Sequence, residues 1–219
     1  MKQNTSGMRC RRFPLGGLWT NGYLFSDPEG VSFFVDPGGD MGEVLEHLKC
    51  QELTLKAVLL THGHLDHISG VESFVPLVGD EVYIAPEDAS NLEHPSKEMQ
   101  RYLGVECRGI KAFKTVAEGG VLSIGGFSVK VLATPGHTPG SVCYLISLGE
   151  ESVLASGDTL FTQSVGRTDL PGGNTPQLME SLRKLAKLPG RLVVLPGHGP
   201  DTTIEAERML NPFWPQDLT

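Results

Sequence analysis

One heptapeptide, Thr61-His62-Gly63-His64-Leu65-Asp66-His67, places three imidazoles and a carboxylate in a short turn directly after the apolar run Ala57-Val58-Leu59-Leu60. Three further donors each follow a strand-like segment of their own. These are His137 in TPGHTPG (134–140), Asp158 in SGDT (156–159) and His198 in PGHGP (196–200). Five of the 7 histidines fall in these segments, and that concentration points to a metal site for two ions. Neutral imidazole is the commonest ligand of borderline divalent ions, and carboxylate is its harder partner. In an extended or turning backbone His62 and His64 share one face. Asp66 and His67 follow as the chain bends toward a helix over 68–75, so they aim at a second point, while Gly63 lets the backbone crowd close. Two ligands complete neither point, because a catalytic site of the zinc type holds three protein ligands and a water. The remaining ligands must therefore come from His137, Asp158 and His198. A single Asp in a turn is ordinarily structural. A cluster this dense without an ion would bury poorly satisfied polar atoms.

The elements that must position these donors repeat one grammar: apolar strand, Gly or Pro punctuation, one ligand. Strands are read at 129–133, 153–155 and 192–195, each ending at a ligand turn, which is how a sheet scaffold builds a rigid site. Phe13–Phe25 and Val31–Val35 read as opening strands joined by a turn at Asp27-Pro28-Glu29-Gly30. Asp36, at the end of the second, is placed either to bond a ligand histidine from behind or to act as a plain turn carboxylate. Residues 41–48 read as a helix, and 121–133 as a hairpin around Gly125-Gly126. Residues 175–188 give the clearest helical stripe, through Leu178, Met179, Leu182 and Leu185. The alternation of strands and helices with 27 Gly and 15 Pro fits a sheet-rich α/β architecture. The reading is one domain over 13–219, preceded by a loose N-terminal extension over 1–12.

The segments THGHLDH, TPGHTPG, SGDTLF and PGHG resemble those of the metallo-β-lactamase fold hydrolases. SVGRTDLPGG (164–173) and the closing Glu207-Arg208, Asn211-Pro212-Phe213 are similar to short glyoxalase II-type (hydroxyacylglutathione hydrolase-like) proteins. The resemblance implies an αββα sandwich, two mixed sheets flanked by helices, with the metal site at one edge. It implies His62, His64 and His137 on one ion, Asp66, His67 and His198 on the other, and Asp158 bridging both. Lactam-cleaving members often carry a cysteine where this chain has Asp158, which points away from lactam cleavage. Full-length glyoxalase II proteins have a helical C-terminal region that helps hold glutathione. Here one helix, about residues 203–209, follows His198, and this leaves the thiol part of the substrate open.

The chemistry expected is thioester hydrolysis of an S-2-hydroxyacylglutathione-like substrate such as S-lactoylglutathione. A hydroxide shared by two divalent ions about 3.5–4 Å apart would attack the carbonyl, and the thiolate, of pKa about 8.5, would leave without a strong general acid. Asp66 serves as ligand and as the group that orients the hydroxide. Zinc is the first choice of metal, with iron or manganese also admitted by nitrogen and oxygen ligation. Arg167 either grips a substrate carboxylate or, with Asp169, pins its loop. The rival is a mononuclear iron persulfide dioxygenase acting on glutathione persulfide, with His62, His137 and Asp158 as a facial triad. A net charge of −8 argues against nucleic acid or an anionic membrane as partner. No segment has a membrane-spanning length of apolar residues, and the N-terminus lacks a signal-peptide core. Four cysteines at irregular spacing read as free thiols. A cytoplasmic location follows from these features.

Overall fold

The computed structural model describes residues 7–215. The chain forms two six-stranded sheets and a short ribbon. In the first sheet β1 (Arg9–Leu15), β2 (Thr20–Ser26) and β3 (Val31–Val35) are antiparallel neighbours, and β4 (Thr54–Leu59), β5 (Val82–Ile84) and β6 (Lys114–Thr115) continue in parallel. The second sheet contains β7 (Val121–Ile124), β8 (Phe127–Ala133), β9 (Val142–Leu148) and β10 (Glu151–Gly157). The ribbon is β11 (Leu160–Phe161) with β12 (Ser164–Val165), and β13 (Val193–Pro196) and β14 (Thr202–Thr203) complete the second sheet. Only the β10–β13 pair is parallel there, so both sheets are mixed.

Neighbouring residues on the central strands face opposite layers, which makes their sequences read as unbroken apolar runs. Phe33, Val35 and Leu59 point inward against Phe127, Val129, Val131, Tyr144 and Ile146 of the second sheet. Phe34 and Val58 point outward onto α1 (Gly42–Cys50), through Val44 and Leu48, and onto Ile68 and Phe74. On the far side Leu132, Cys143, Leu154 and Val194 meet Leu178, Leu182 and Leu185 of a later helix, together with Ile204. The layers are therefore helix, sheet, sheet, helix, as the resemblance implied.

The remaining helices are short: α2 (Leu65–Ile68), α3 (Val75–Val78), α4 (Ala89–Glu93) and α5 (Lys97–Leu103), then α6 (Thr175–Leu185) and α7 (Ile204–Leu210). α6 starts where the Asn174 side chain accepts from the Gln177 amide at 3.0 Å and Pro176 fills the first turn. The single helix expected over 68–75 is instead α2, a 3₁₀ turn at Val71–Ser73, and α3. The break lies at Gly70, whose amide donates to the Pro37 carbonyl at 2.7 Å and whose missing Cβ makes room for that backbone.

The loose extension expected over 1–12 is overturned for residues 9–12. They are ladder residues of β1, from Arg9 opposite Ser26 to Arg12 opposite Tyr23. Arginine on an exposed edge strand is compatible with pairing on its one protected side. Residues 1–6 of that expected extension lie outside the described residues. The four cysteines are free. Among the described residues no helix is long and apolar enough to cross a membrane.

Candidate metal centre

Strand direction brings the ligands to one edge. β8 and β10 are each antiparallel to β9, and β10 is parallel to β13, so β8, β10 and β13 all end on the same side. His137, Asp158 and His198 follow those three ends. β3 and β4 run parallel and end at Asp36 and at the Thr61–His67 turn. β2 runs against them, so its first residues, Thr20 and Asn21, lie at that same edge. The Val142 amide to the Thr61 carbonyl, 2.8 Å, and the Tyr144 hydroxyl to the Leu60 carbonyl, 2.9 Å, fasten the two sheets together there.

All seven predicted ligands converge. The ring centroids of His62 lie 4.8 Å from His64, 4.1 Å from His67 and 4.9 Å from His137, and His67 lies 5.4 Å from His198. His62, His64 and His137 offer one group of donor atoms, and Asp66, His67 and His198 another, each with its donors within 4.8 Å of one another. Asp158 spans both. Its Oδ2 is 3.5 Å from His137 Nε2 and 3.6 Å from His198 Nε2, and its Oδ1 is 3.3 Å from His67 Nε2.

The outer hydrogen bonds decide which ring nitrogen faces inward. His137 Nδ1 donates to the Arg167 carbonyl at 2.8 Å, leaving the Nε2 lone pair for the cluster. Asp36, buried and at φ +54°, accepts from the Thr61 amide at 2.8 Å, the Thr61 hydroxyl at 2.6 Å and His67 Nδ1 at 3.0 Å. The Thr61 hydroxyl, having donated to Asp36, accepts from His62 Nδ1 at 3.1 Å. One carboxylate thus fixes the tautomers of two histidines, and Asp36 takes the first of the two roles its position allowed.

The residues fit a pair of cations. Among the described residues, His62 Nε2, His67 Nε2 and Asp158 Oδ1 are buried and have no hydrogen-bond partner, a cost that an ion at their convergence removes. The charge pattern agrees. Burial lowers the His62 pKa well below the ordinary imidazole value, and the facing imidazoles lower it further. Burial and His137 bring His64 down to about 4. Burial alone would lower His67 as well, yet Asp158, Asp66 and Asp36 raise it well above the ordinary value. Burial opposes ionisation of Asp66, but His67, His198 and the Thr20 hydroxyl hold it below the usual carboxylate range. The carboxylates thus outweigh burial at His67. Gly197 is required by the same crowding, because a Cβ there would overlap Asp158 Oδ1 and lie 2.7 Å from His67 Cε1.

Three positioning residues were not foreseen. The Thr20 hydroxyl donates to Asp66 Oδ2 at 3.1 Å. Asn21 donates through its side-chain amide to the Pro196 and Gly199 carbonyls, both at 2.9 Å. Asp88, fully buried, accepts from the Gly63 amide at 2.8 Å, the Thr138 hydroxyl at 2.7 Å and the Gly140 amide at 2.9 Å, tying the His64 turn to the His137 turn. The only sequence signal was polarity at the head of an apolar strand for the first two, and there was none for Asp88. The Arg167 side chain is exposed, and its guanidinium holds Asp169 at 2.7 and 2.6 Å, so only its backbone carbonyl touches the ligand set.

Residues 16–198 match the profile described as Metallo-beta-lactamase superfamily. The probable metallo-hydrolase YqgX of Bacillus subtilis is 38% identical over 94% of this chain and 97% of its own length. The hydroxyacylglutathione hydrolase GloC of Haemophilus influenzae is 34% identical over 94% and 98%. Among solved structures, the BLEG-1 B3 metallo-beta-lactamase superimposes with TM-score 0.86 at 39% identity, covering 94% of this chain and 99% of that one. TTHA1623 in a di-iron-bound form gives 0.82 at 36%, covering 93% and 99%. ETHE1 from Myxococcus xanthus gives 0.76 at 29%, covering 93% and 83%.

Proposed function

The chain belongs to the metallo-beta-lactamase superfamily, and from that premise we propose that it is a metal-dependent hydrolase of thioesters, of the S-2-hydroxyacylglutathione type. The observation that carries this reading is the absence of a spare acid at the cluster. Among the described residues, its histidines, Asp66 and Asp158 all belong to the three donor groups that could hold a metal ion, while Asp36 and Asp88 are saturated by buried donors. An amide nitrogen needs a proton to depart, whereas a thiolate, the conjugate base of a thiol of pKa about 8.5, does not.

His62, His64 and His137 would hold one divalent ion, Asp66, His67 and His198 a second, and Asp158 both. When bound, such a pair supplies Lewis acidity and lowers the pKa of a coordinated water to about 7. Asp66 does more than ligate. Thr20 fixes one of its oxygens, and the carboxylate orients the attacking water toward the carbonyl. Arg167 is the substrate grip. Its exposed pair with Asp169 is worth only about 0–1 kcal/mol, so a substrate carboxylate can replace that partner at little cost. Zinc is the first assignment. The di-iron form of TTHA1623, 36% identical, keeps iron as the alternative, and manganese suits the same donors.

A panel of S-lactoylglutathione, other thioesters, an amide and a β-lactam tests the reading. Thioester cleavage at least tenfold above the other substrates supports it. Preferential opening of the lactam, the activity named for BLEG-1, would assign the other branch. Oxygen uptake on glutathione persulfide by a one-iron protein would assign the dioxygenase.

A further inference from the structure

We infer that the Thr20–Asn21 dipeptide at the head of β2 sets the occupancy of the second metal group, and so decides whether the protein carries one ion or two. This rests on the two-ion reading above.

The two ligand groups are supported differently. In the first, His62 is oriented through its ring by Thr61 and His137 by the Arg167 carbonyl, and Asp88 staples the turns that carry His64 and His137. In the second, only His67 has such a ring partner, Asp36. The His198 ring, 29% exposed, meets the Asp66 and Asp158 carboxylates and the edge of Phe161, and among the described residues it has no hydrogen bond from outside the cluster. Its direction is therefore set by its backbone.

That backbone is clamped by Asn21. The two protons of one side-chain amide reach the carbonyls of Pro196 and Gly199, on either side of His198, and the Asn21 backbone amide donates to the Gly197 carbonyl at 2.7 Å. The Tyr23 hydroxyl adds a bond to Pro196, 2.8 Å, from the same strand. The preceding residue, Thr20, holds Asp66. Two of the three second-group ligands thus hang from consecutive residues of one strand. Both side chains are buried and polar in a strand otherwise made for a core, at 0% and 4% exposure. A buried amide with this hydrogen-bond set rigidifies the loop it brackets, and it does for His198 what a ring hydrogen bond does for the others.

The test is stepwise zinc titration of metal-free protein against a chromophoric chelator, comparing wild type with Thr20→Val, Thr20→Ser and Asn21→Ala. Valine keeps the shape of threonine without the hydroxyl, so it reads the inference even if Asn21→Ala does not fold. The expected result is two equivalents in wild type and in Thr20→Ser. In Thr20→Val and Asn21→Ala the second equivalent binds about 10–100-fold more weakly, as for loss of an outer-shell partner, and the first is unchanged. A merely structural role would weaken both equivalents alike, and that result overturns the inference while leaving the two-ion reading intact. Unchanged affinities in Thr20→Val overturn it as well. Uptake of a single equivalent by wild type overturns the two-ion reading itself and the inference with it.

Discussion

The Asp36 carboxylate accepts the Nδ1 proton of His67 at 3.0 Å from a backbone held at φ +54°, a conformation that aspartate tolerates better than most residues. The same oxygen accepts the Thr61 hydroxyl, which in turn accepts from His62. Asp36→Asn sets an amide donor against donors already there. Both metal equivalents are expected to weaken by about 10–100-fold, because one ligand of each group loses its orientation. Elemental analysis after dialysis against a chelator measures this, and full retention of both ions would remove Asp36 from the metal centre's support.

Asp88→Ala strands the Gly63 and Gly140 amides in a buried setting, while the Thr138 hydroxyl keeps Ser141 as its partner. An unsatisfied buried donor costs about 1–3 kcal/mol. The stability of the metal-free protein is expected to fall by at least that much, read as a lower urea midpoint with the m-value unchanged. A midpoint equal to wild type would mean that the staple carries no energy.

Proton release separates the two groups. The carboxylates raise His67 well above the ordinary imidazole pKa despite burial and raise His198 in the same direction, so this group gives up protons to a cation more readily than a group of lowered imidazoles. His62 and His64 are lowered, His64 to about 4, and are already neutral at pH 7. Binding to Asp66, His67 and His198 is therefore expected to release protons at pH 7 and to tighten as pH rises through the raised values. Binding of the other ion should do so far less. Calorimetric titration in buffers of different ionisation enthalpy reads the difference, and equal release by both equivalents would contradict it.

Arg167→Ala is expected to raise the KM for an acidic thioester about tenfold or more, with metal content unchanged. Stability should shift by less than about 1 kcal/mol, since the Asp169 pair is exposed. A lost metal ligand set with unaltered KM would leave the side chain only a loop-pinning role.

The seven converging donors were legible because they fall in four Gly- or Pro-marked turns, each after an apolar strand, and because dense imidazole clusters have few other uses. The layering came with the resemblance of the motifs, whereas apolar runs such as Val142–Ile146 marked only the strands themselves. The support was not legible. Thr20 reaches Asp66 across 46 residues and Asn21 reaches Pro196 across 175, and neither residue type is distinctive. Asp88 reaches Gly63, Thr138 and Gly140 across 25, 50 and 52 residues, and a single acid signals none of these. β1 was misjudged over 9–12 because polar, arginine-rich residues on an edge strand carry no apolar period, and their pairing with β2 is what orders them.

The most direct measurement is S-lactoylglutathione hydrolysis by metal-free protein reloaded stepwise with zinc. Cleavage that stays near background through the first equivalent and rises with the second, to a maximum at two ions per chain, is the predicted result. Full activity at one equivalent, or none at any loading, would contradict a two-ion thioester hydrolase.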